Sequence, residues 1–264
     1  MNVKIIADSI APTGKRILTL QLRYPRFIHA EFMTHRVFSR NASSSRAIPV
    51  DKIIAQVLDD PAMPVHWGAN IPGMQANEQL SDKAIALARQ VWLDASRDAV
   101  YRARALIALG LHKQVANRIL EPWQFINVVV TATEWDNFFE LRTHRDAQPE
   151  FQVLACAMKE AIRLSQPKQL GYDNWHLPYV TDREIGVWPI EDLIKFSAAR
   201  CARVSYLRHD RTDPKPEDDF TLYDRLISSK PAHASPIEHQ AKPLSNPFAI
   251  SNNFQGWEQF RATI

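Results

Sequence analysis

Glycine is scarce in this chain, and this scarcity constrains the fold more than any other feature of the sequence. Only seven of the 264 residues are glycine. No GxGxxG sequence and no GxxxxGKS or GxxxxGKT sequence occurs. Glycines at those spacings let the backbone approach a phosphate in the common dinucleotide-binding and P-loop folds. The usual dinucleotide and Walker phosphate loops are therefore absent.

The composition is that of an ordinary globular protein. Apolar residues make up 45% and charged residues 23% of the chain, close to the globular average. The length is enough for one large domain or two small ones. The 32 basic and 29 acidic side chains leave a formal net charge of +3, which is too small to indicate nucleic-acid binding by itself. These values exclude a disordered tail protein, a collagen and a small disulfide-bonded scaffold.

The two cysteines, Cys156 and Cys201, do not form a CxxC pair. A thiolate zinc site and a redox dithiol are therefore not expected, and this cysteine usage is typical of a reduced, cytoplasmic protein. Cys156 lies between two alanines in a helical pattern, which indicates packing rather than activation. The first residues lack a signal-peptide pattern and no apolar run is long enough to span a membrane, so no membrane association is expected.

Hydrophobic periodicity predicts strands and helices in one compact unit without internal repeats. Residues 16–24 alternate like a half-buried strand, and the β-branched run at 125–133 is typical of a buried strand. The stretch at 78–109 lacks proline and glycine and predicts a long helix that stops at Gly110. Irregular connectors are predicted at 61–73 and 165–189. Further helices are predicted at 27–35, 134–142, 149–164, 190–203 and 220–228.

The densest polar cluster is the stretch of residues 34–46, here named the Arg/Ser segment. It holds three arginines, four serines, one histidine and one asparagine, and it contains no carboxylate. Guanidinium forks, hydroxyls and backbone N–H groups at a helix–loop junction are the donors that a phosphate or diphosphate requires. The segment therefore indicates a phosphate site. A solvated basic loop is the alternative.

Two further sets of polar residues stand out. Arg118 and Arg142 each lie beside an apolar helical stretch, where a buried arginine needs an acceptor. The alternative is a terminal arginine that complements the helix dipole. The other set comprises residues 202–206 (ARVSY) and 233–239 (HASPIEH). The His, Glu and His of the second stretch match no standard zinc spacing, so no metal site is expected.

Together these three sets resemble the flavin-dependent thymidylate synthase family. That family carries an Arg-His-Arg sequence followed after seven residues by serine, with an arginine two residues later. Residues 34–36 (THR) and 44–46 (SSR) have the same spacing. Residues 202–206 and 233–239 resemble two further motifs of the family. The family's two downstream substrate arginines are matched by Arg118 and Arg142.

The sequence departs from the family pattern at several positions. Thr34 replaces the first arginine of the signature, and Ala42 stands where the family usually has glutamate. The stretch between Thr131 and Arg142 is shorter than usual and lacks the asparagine that typically follows the threonine. Asn137 is therefore the only residue there that the resemblance offers as a flavin contact.

The order of the motifs also differs from that of the family. There, the ARxSY and HxSxxEH motifs precede the signature, whereas here they follow it. We infer a circularly permuted arrangement, which is tolerated where termini lie close and exposed. It predicts that residues 238–240 enter the sheet close to the start of the strand at 16–24. The single domain 1–264 then comprises a signature part (16–164), a part that is N-terminal in the usual order (190–241) and a tail (242–264).

The resemblance implies an α+β fold in which a mixed sheet packs against helices, and a homotetramer whose sites combine residues of several subunits. It implies an enzyme that methylates C5 of dUMP to give dTMP. Methylenetetrahydrofolate is then the carbon donor, and NADPH the reductant through FAD. No cysteine nucleophile is needed for this chemistry. Partners are small molecules and copies of the chain, and neither a membrane nor a nucleic acid is expected.

The resemblance also assigns roles to individual residues. Arg142 is the catalytic candidate, because a fixed cation at the uracil edge stabilises the negative charge that develops on the ring. The implied dUMP contacts are Glu31, Ser44, Ser45, Arg46, Arg118 and Arg142. The implied FAD contacts are Thr34, His35, Arg36, Asn41, Asn137 and Ser235.

Two other functions stay open at this stage. The departures at the signature could accompany a different C5 modification, such as hydroxymethylation of dUMP, or a different pyrimidine, such as a cytosine nucleotide. The other function is that of a non-enzymatic RNA- or DNA-binding protein, with the Arg/Ser segment as a phosphate track. That function predicts a steep loss of affinity with salt and no bound cofactor.

Overall fold

The computed structural model describes residues 1–73, 75–204 and 215–264. Its strands are β1 (Asn2–Ile10), β2 (Arg16–Pro25), β3 (Ser39–Ala42), β4 (Phe125–Ala132), β5 (Lys168–Gln169), β6 (Ala241–Pro243), β7 (Ile250–Ser251), β8 (Phe254–Gln255) and β9 (Trp257–Gln259). Its α-helices are α1 (His29–Phe32), α2 (Val50–Asp59), α3 (Asp82–Ala108), α4 (Lys113–Ala116), α5 (Asp136–Arg142), α6 (Pro149–Leu164), α7 (Asp182–Ile185), α8 (Ile190–Arg203) and α9 (Pro216–Ser228). Short 3-10 helices lie at Arg26–Ile28, Asn117–Trp123, Ser235–Glu238 and Phe260–Thr263.

The main sheet has five strands in the order β3-β4-β2-β1-β5. The β3–β4, β4–β2 and β2–β1 pairs are antiparallel, whereas β5 runs parallel to β1. Helices pack against this mixed sheet, so the predicted α+β class is confirmed.

Strand β2 lies at the centre of the sheet and is buried on both faces. Leu20 and Leu22 on one face and Ile17 and Thr19 on the other are all fully buried. The expectation of a half-buried strand is therefore wrong. Polar and apolar residues alternate along β2 because its second face packs against polar partners and not against solvent. The Thr19 hydroxyl, for example, is hydrogen-bonded to His176 Nε2 at 2.8 Å.

An aromatic cluster fills the space between the sheet and helices α1, α5 and α6. Phe32 is fully buried at its centre. Its ring centroid lies 5.5 Å from that of Tyr24, 5.8 Å from Phe38, and 6.1 Å from both Phe138 and Phe151. Tilted and edge-on contacts at such distances add to the burial energy of the rings. This cluster fixes the position of α1, which directly precedes the Arg/Ser segment in the chain.

Replacing Phe32 with alanine is expected to lower the free energy of unfolding by about 3–5 kcal/mol, because it leaves a cavity among rings that cannot collapse onto it. Urea denaturation of the purified protein measures the change. Val37→Ala is the matched control, since Val37 is 49% exposed and its truncation should change stability by less than about 0.5 kcal/mol. Equal effects of the two substitutions would contradict the packing described here.

The predicted helices agree with the structure where the pattern is long. Helices α6 and α8 have the predicted bounds, and α3 is shorter than predicted by a few residues at its start. The helix predicted at 27–35 is wrong: it consists of a 3-10 turn and the single turn α1. The Thr34 N–H and hydroxyl both donate to the Glu31 carbonyl, at 3.1 Å and 2.7 Å, which turns the chain out of the helix. In the part of the chain that the structure describes, no helix combines the length and the apolar character needed to cross a membrane.

The C-terminal segment packs beside the start of β2. Ala241 is fully buried in one cluster with Ile17, Trp257 and their neighbours, and the Trp257 indole N–H donates to the Lys15 carbonyl at 3.2 Å. This closeness is what a circular permutation requires, and it agrees with the predicted neighbourhood. Strand β6 pairs with β9 rather than with the main sheet, so the predicted entry of this segment into the sheet is wrong.

Candidate functional site

A cavity of about 400 Å³ lies between the Arg/Ser segment and the segments around residues 202 and 233. This volume is within the usual range for small-molecule sites, about 300–1,000 Å³. We call it the polar cavity. It is lined by Asn41, Ser44, Arg46, Ala47, Ala202, Leu226, His233, Ser235 and Pro236. Its walls thus come from stretches that are far apart in the sequence.

Asn41 joins these stretches. It lies on β3, opposite Val129 of β4, so the edge of the main sheet fixes its backbone. Its side-chain amide donates to the Cys201 carbonyl at 2.7 Å, near the end of α8. Its amide oxygen accepts from the Ser235 hydroxyl at 3.3 Å. One side chain therefore connects the sheet, α8 and the 3-10 helix Ser235–Glu238.

The loop that carries Ser44 and Arg46 is held from behind by side chains of a neighbouring segment. The Asn117 amide donates to the Ser45 carbonyl at 2.6 Å and to the Ile48 carbonyl at 3.0 Å. The Lys113 ammonium donates to the Ala47 carbonyl at 3.0 Å. Asn117 is fully buried. Because the carbonyls are tied down on this side, the loop presents a fixed conformation to the polar cavity.

The polar cavity has the chemistry of an anion site. None of the described residues that line it is acidic, and its polar side chains include the guanidinium of Arg46, which is exposed, and the hydroxyls of Ser44 and Ser235. Such donors suit a phosphate, because charge-assisted bonds from arginine are strong and directional. The predicted FAD contacts Asn41 and Ser235 and the predicted dUMP contacts Ser44 and Arg46 all line this cavity.

A second group of polar side chains surrounds Glu121 and is linked through Ser45 to the loop that lines the polar cavity. One carboxylate oxygen of Glu121 accepts from the Arg118 guanidinium at 2.8 Å and from the Ser45 hydroxyl at 3.1 Å, and Arg26 lies 3.1 Å from the same oxygen. Ser45 is buried, so its hydroxyl serves the protein and does not face the polar cavity. The Arg118 side chain is 51% exposed.

A third cluster is centred on Arg142. Its Nε donates to His35 Nε2 at 2.8 Å, and its Nη1 forms an ion pair with the Glu31 carboxylate. Burial and, to a smaller extent, the positive charges of Arg142 and Arg40 lower the pKa of His35 to about 4. His35 is therefore neutral at physiological pH. The guanidinium of Arg142 is held by both of these partners.

The other predicted flavin contacts lie on the surface. Thr34, Arg36 and Asn137 are exposed and do not line the polar cavity. Ser205 and Tyr206 of the ARVSY stretch lie outside the described residues. Sequence reasoning missed Glu121 and Asn117, although both lie within three residues of Arg118. Only the i,i+3 pair of Arg118 with Glu121 is local; the other partners of these two residues come from distant segments that the fold brings close.

The cysteines offer no activated thiol in the polar cavity, since neither lines it. Cys201 is buried, and burial raises the pKa of its thiol. Cys156 is exposed on α6, so its predicted packing environment is wrong. Among the residues that the structure describes, no group of three or more His, Cys, Asp or Glu side chains could hold a metal ion.

The family model described as thymidylate synthase complementing protein matches residues 15–168, which is more than half of the chain. The protein belongs to this family. The resemblance seen in the signature is thereby confirmed. The match ends before residues 202–206 and 233–239, the two motif-like stretches that follow the signature in this chain.

Similar proteins agree with this assignment. Two flavin-dependent thymidylate synthases from Tropheryma whipplei, of strains TW08/27 and Twist, are each 27% identical over 147 residues, or 53% of this chain. The chain spans about 60% of the length of these curated relatives. The crystal structure of the UMP/dUMP methylase PolB from Streptomyces cacaoi, bound with 5-Br UMP, has a TM-score of 0.50 at 17% identity. The matched region covers 61% of this chain and 87% of the PolB chain. This likeness concerns the fold alone.

Proposed function

We propose that the protein is a flavin-dependent thymidylate synthase, which methylates C5 of dUMP with methylenetetrahydrofolate as carbon donor and NADPH as reductant through FAD. The observation that carries the proposal is the polar cavity. Donors from the signature, Ser44 and Arg46, line it together with Ser235 from the displaced HASPIEH stretch. Two motifs that are separate in sequence thus share one site, whose described lining residues include no carboxylate, and the family membership supplies its chemistry.

In this proposal the phosphate of dUMP lies against the cavity loop. Arg46 and Ser44 donate to it directly, and the half-exposed Arg118 adds its guanidinium from the cluster around Glu121. Ser45 supports the loop through Glu121 instead of contacting the nucleotide. This division of roles follows from burial and hydrogen bonding, because Ser45 is buried and its single hydroxyl hydrogen already goes to Glu121, so none is left to donate to a phosphate.

Arg142 stabilises the charge that develops on the pyrimidine ring during attack by C5. A preorganised cation at a water-poor position is effective because it needs no reorganisation as the charge forms. Glu31 and His35 hold that cation in place. Arg142 does not line the polar cavity of its own chain, so the proposal includes a homotetramer in which a copy of the chain completes each site.

Two of the predicted flavin contacts lie in the polar cavity, and the chemistry of the predicted set suits a flavin nucleotide. The Asn41 amide and the Ser235 hydroxyl lie in the cavity, and the exposed donors of Thr34, Arg36 and Asn137 lie on the surface. Amide, hydroxyl and guanidinium groups are what a diphosphate and the polar edge of an isoalloxazine require. When bound, the flavin supplies the hydride that reduces the transferred carbon to a methyl group.

The test is the absorption spectrum and the product of the purified protein. An oxidised-flavin spectrum is expected, which bleaches with NADPH and shifts when dUMP is added. With methylenetetrahydrofolate present, mass analysis is expected to give dTMP. Arg46→Ala should weaken dUMP binding about 10- to 100-fold, the loss of one charge-assisted contact. A colourless protein that makes no dTMP contradicts the proposal, and a hydroxymethyl product, or preference for a cytosine nucleotide or UMP, corrects the reaction.

A further inference from the structure

The guanidinium of Arg142 is held by contacts from three directions. Its Nε donates to His35 Nε2 at 2.8 Å, its Nη1 pairs with the Glu31 carboxylate, and its Cζ lies 4.8 Å from the centroid of the Phe151 ring. Only 17% of its side-chain surface is exposed. A long, flexible side chain is thereby confined to one orientation.

The His35 ring is itself fixed. It is buried, with 7% of its surface exposed. Its centroid lies 4.9 Å from that of Phe138, edge to face, and 5.9 Å from that of Phe38. The guanidinium of Arg40 donates to the His35 carbonyl at 3.0 Å, which holds the backbone. The ring therefore cannot follow Arg142 if the guanidinium moves.

The direction of the hydrogen bond determines the tautomer of His35. Arginine has only donors, so His35 Nε2 must be the acceptor and the ring proton must sit on Nδ1. A protonated ring would oppose the guanidinium with a second positive charge. The low pKa of His35, about 4, agrees with a ring that stays neutral.

We propose that His35 is a positioning residue: the lone pair on its Nε2, together with the Glu31 carboxylate, aims the Arg142 guanidinium. The inference rests on the proposed function of Arg142. It gives the histidine of the signature a role within the protein, because Nε2 is already used and is not available to a flavin. It also gives Glu31 a role as an ion-pair partner of Arg142.

The experiment compares His35→Gln, whose amide oxygen can still accept, with His35→Leu, which keeps bulk but has no acceptor. We expect H35L to lower kcat by up to about 100-fold, the cost of a displacement of about 1 Å, with flavin content unchanged. H35Q should recover most of that activity. Loss of flavin in H35L would overturn the proposal, and so would equal impairment of both variants.

A double-mutant cycle measures the coupling between His35 and Arg142 from protein stability, without an activity assay. If His35 acts through Arg142, H35L should lower the urea midpoint of the parent protein and leave that of the Arg142→Ala variant unchanged. Additive effects overturn the proposal. Coupling in stability, with dTMP formation indifferent to both residues, would instead refute the function proposed for Arg142 and, with it, the positioning role.

One measurement needs no variant and therefore does not depend on whether H35L folds. The ¹⁵N shifts of the His35 ring in the intact enzyme at neutral pH should show a protonated Nδ1 and an unprotonated Nε2. The opposite tautomer or an imidazolium would overturn the proposal, because neither can accept from Arg142 at Nε2.

Discussion

Replacing Arg142 with alanine is expected to abolish dTMP formation while the flavin stays bound. The variant loses the fixed cation that stabilises charge on the pyrimidine ring, and removing one such group costs about 10²- to 10³-fold in turnover. Folding should survive, because Glu31, one-third exposed, can be solvated once its partner is gone. Single-turnover assays with mass detection of dTMP measure the loss, and the absorption spectrum measures retained flavin.

Arg145→Ala is the matched control for this variant. Arg145 follows closely in the chain, but its side chain is 89% exposed, with its Nε 3.5 Å from Asp146, so its removal should leave turnover unchanged. Activity of the Arg142→Ala variant within a few fold of the parent would remove Arg142 from the catalytic role. Loss of flavin together with activity would mean that Arg142 serves cofactor binding instead.

The sequence predicted elements well where one pattern dominates a long stretch. Helices α6 and α8 follow an apolar period that nothing nearby opposes, and both have the predicted bounds. Strand β3 went unpredicted because its residues, SRNA, are polar and form a strand only through pairing with β4. The predicted helix after Pro25 stops early because a hydroxyl, that of Thr34, competes for the Glu31 carbonyl.

The sequence predicts which residue types form the candidate site, but it does not predict the directions in which their side chains point. The family resemblance implies a dUMP contact for both Ser44 and Ser45, yet these adjacent serines face opposite ways. Ser44 lines the polar cavity, whereas Ser45 is buried and donates to Glu121. The role of Glu121 as a shared acceptor is recognised only in the structure, where Arg26 and Arg118 contact the same carboxylate oxygen. Spacing in the chain indicates the local pair of Arg118 with Glu121, but it carries no information on the contacts of Glu121 with Ser45 and Arg26.

A chain of buried polar groups crosses the sheet on the face opposite the aromatic cluster. His176 bonds Ser9 and Thr19 through its two ring nitrogens. Thr19 bonds Thr131 at 2.6 Å, and Thr131 bonds His239 Nδ1 at 2.8 Å. Both histidines are essentially inaccessible to solvent. Burial lowers the pKa of each to about 3, so both are neutral in the native protein down to strongly acidic pH.

Acidification is therefore expected to unfold the protein well above the pKa of its native histidines. In the unfolded chain these rings take up protons below about pH 6.5, whereas in the native protein they do not until about pH 3. Since the unfolded state then binds more protons, stability is constant above about pH 6.5 and falls as the pH drops. The two histidines together should remove about 2 kcal/mol between about pH 6.5 and pH 5.5. His29 and His35, whose pKa values are lowered to about 4, act in the same direction.

Urea denaturation between about pH 7 and pH 5 measures how steeply stability falls with pH. His176→Gln should flatten this slope, and the control His144→Gln, at an exposed position, should not. Stability that is independent of pH between about 7 and 5 would contradict the neutral, buried state of these rings.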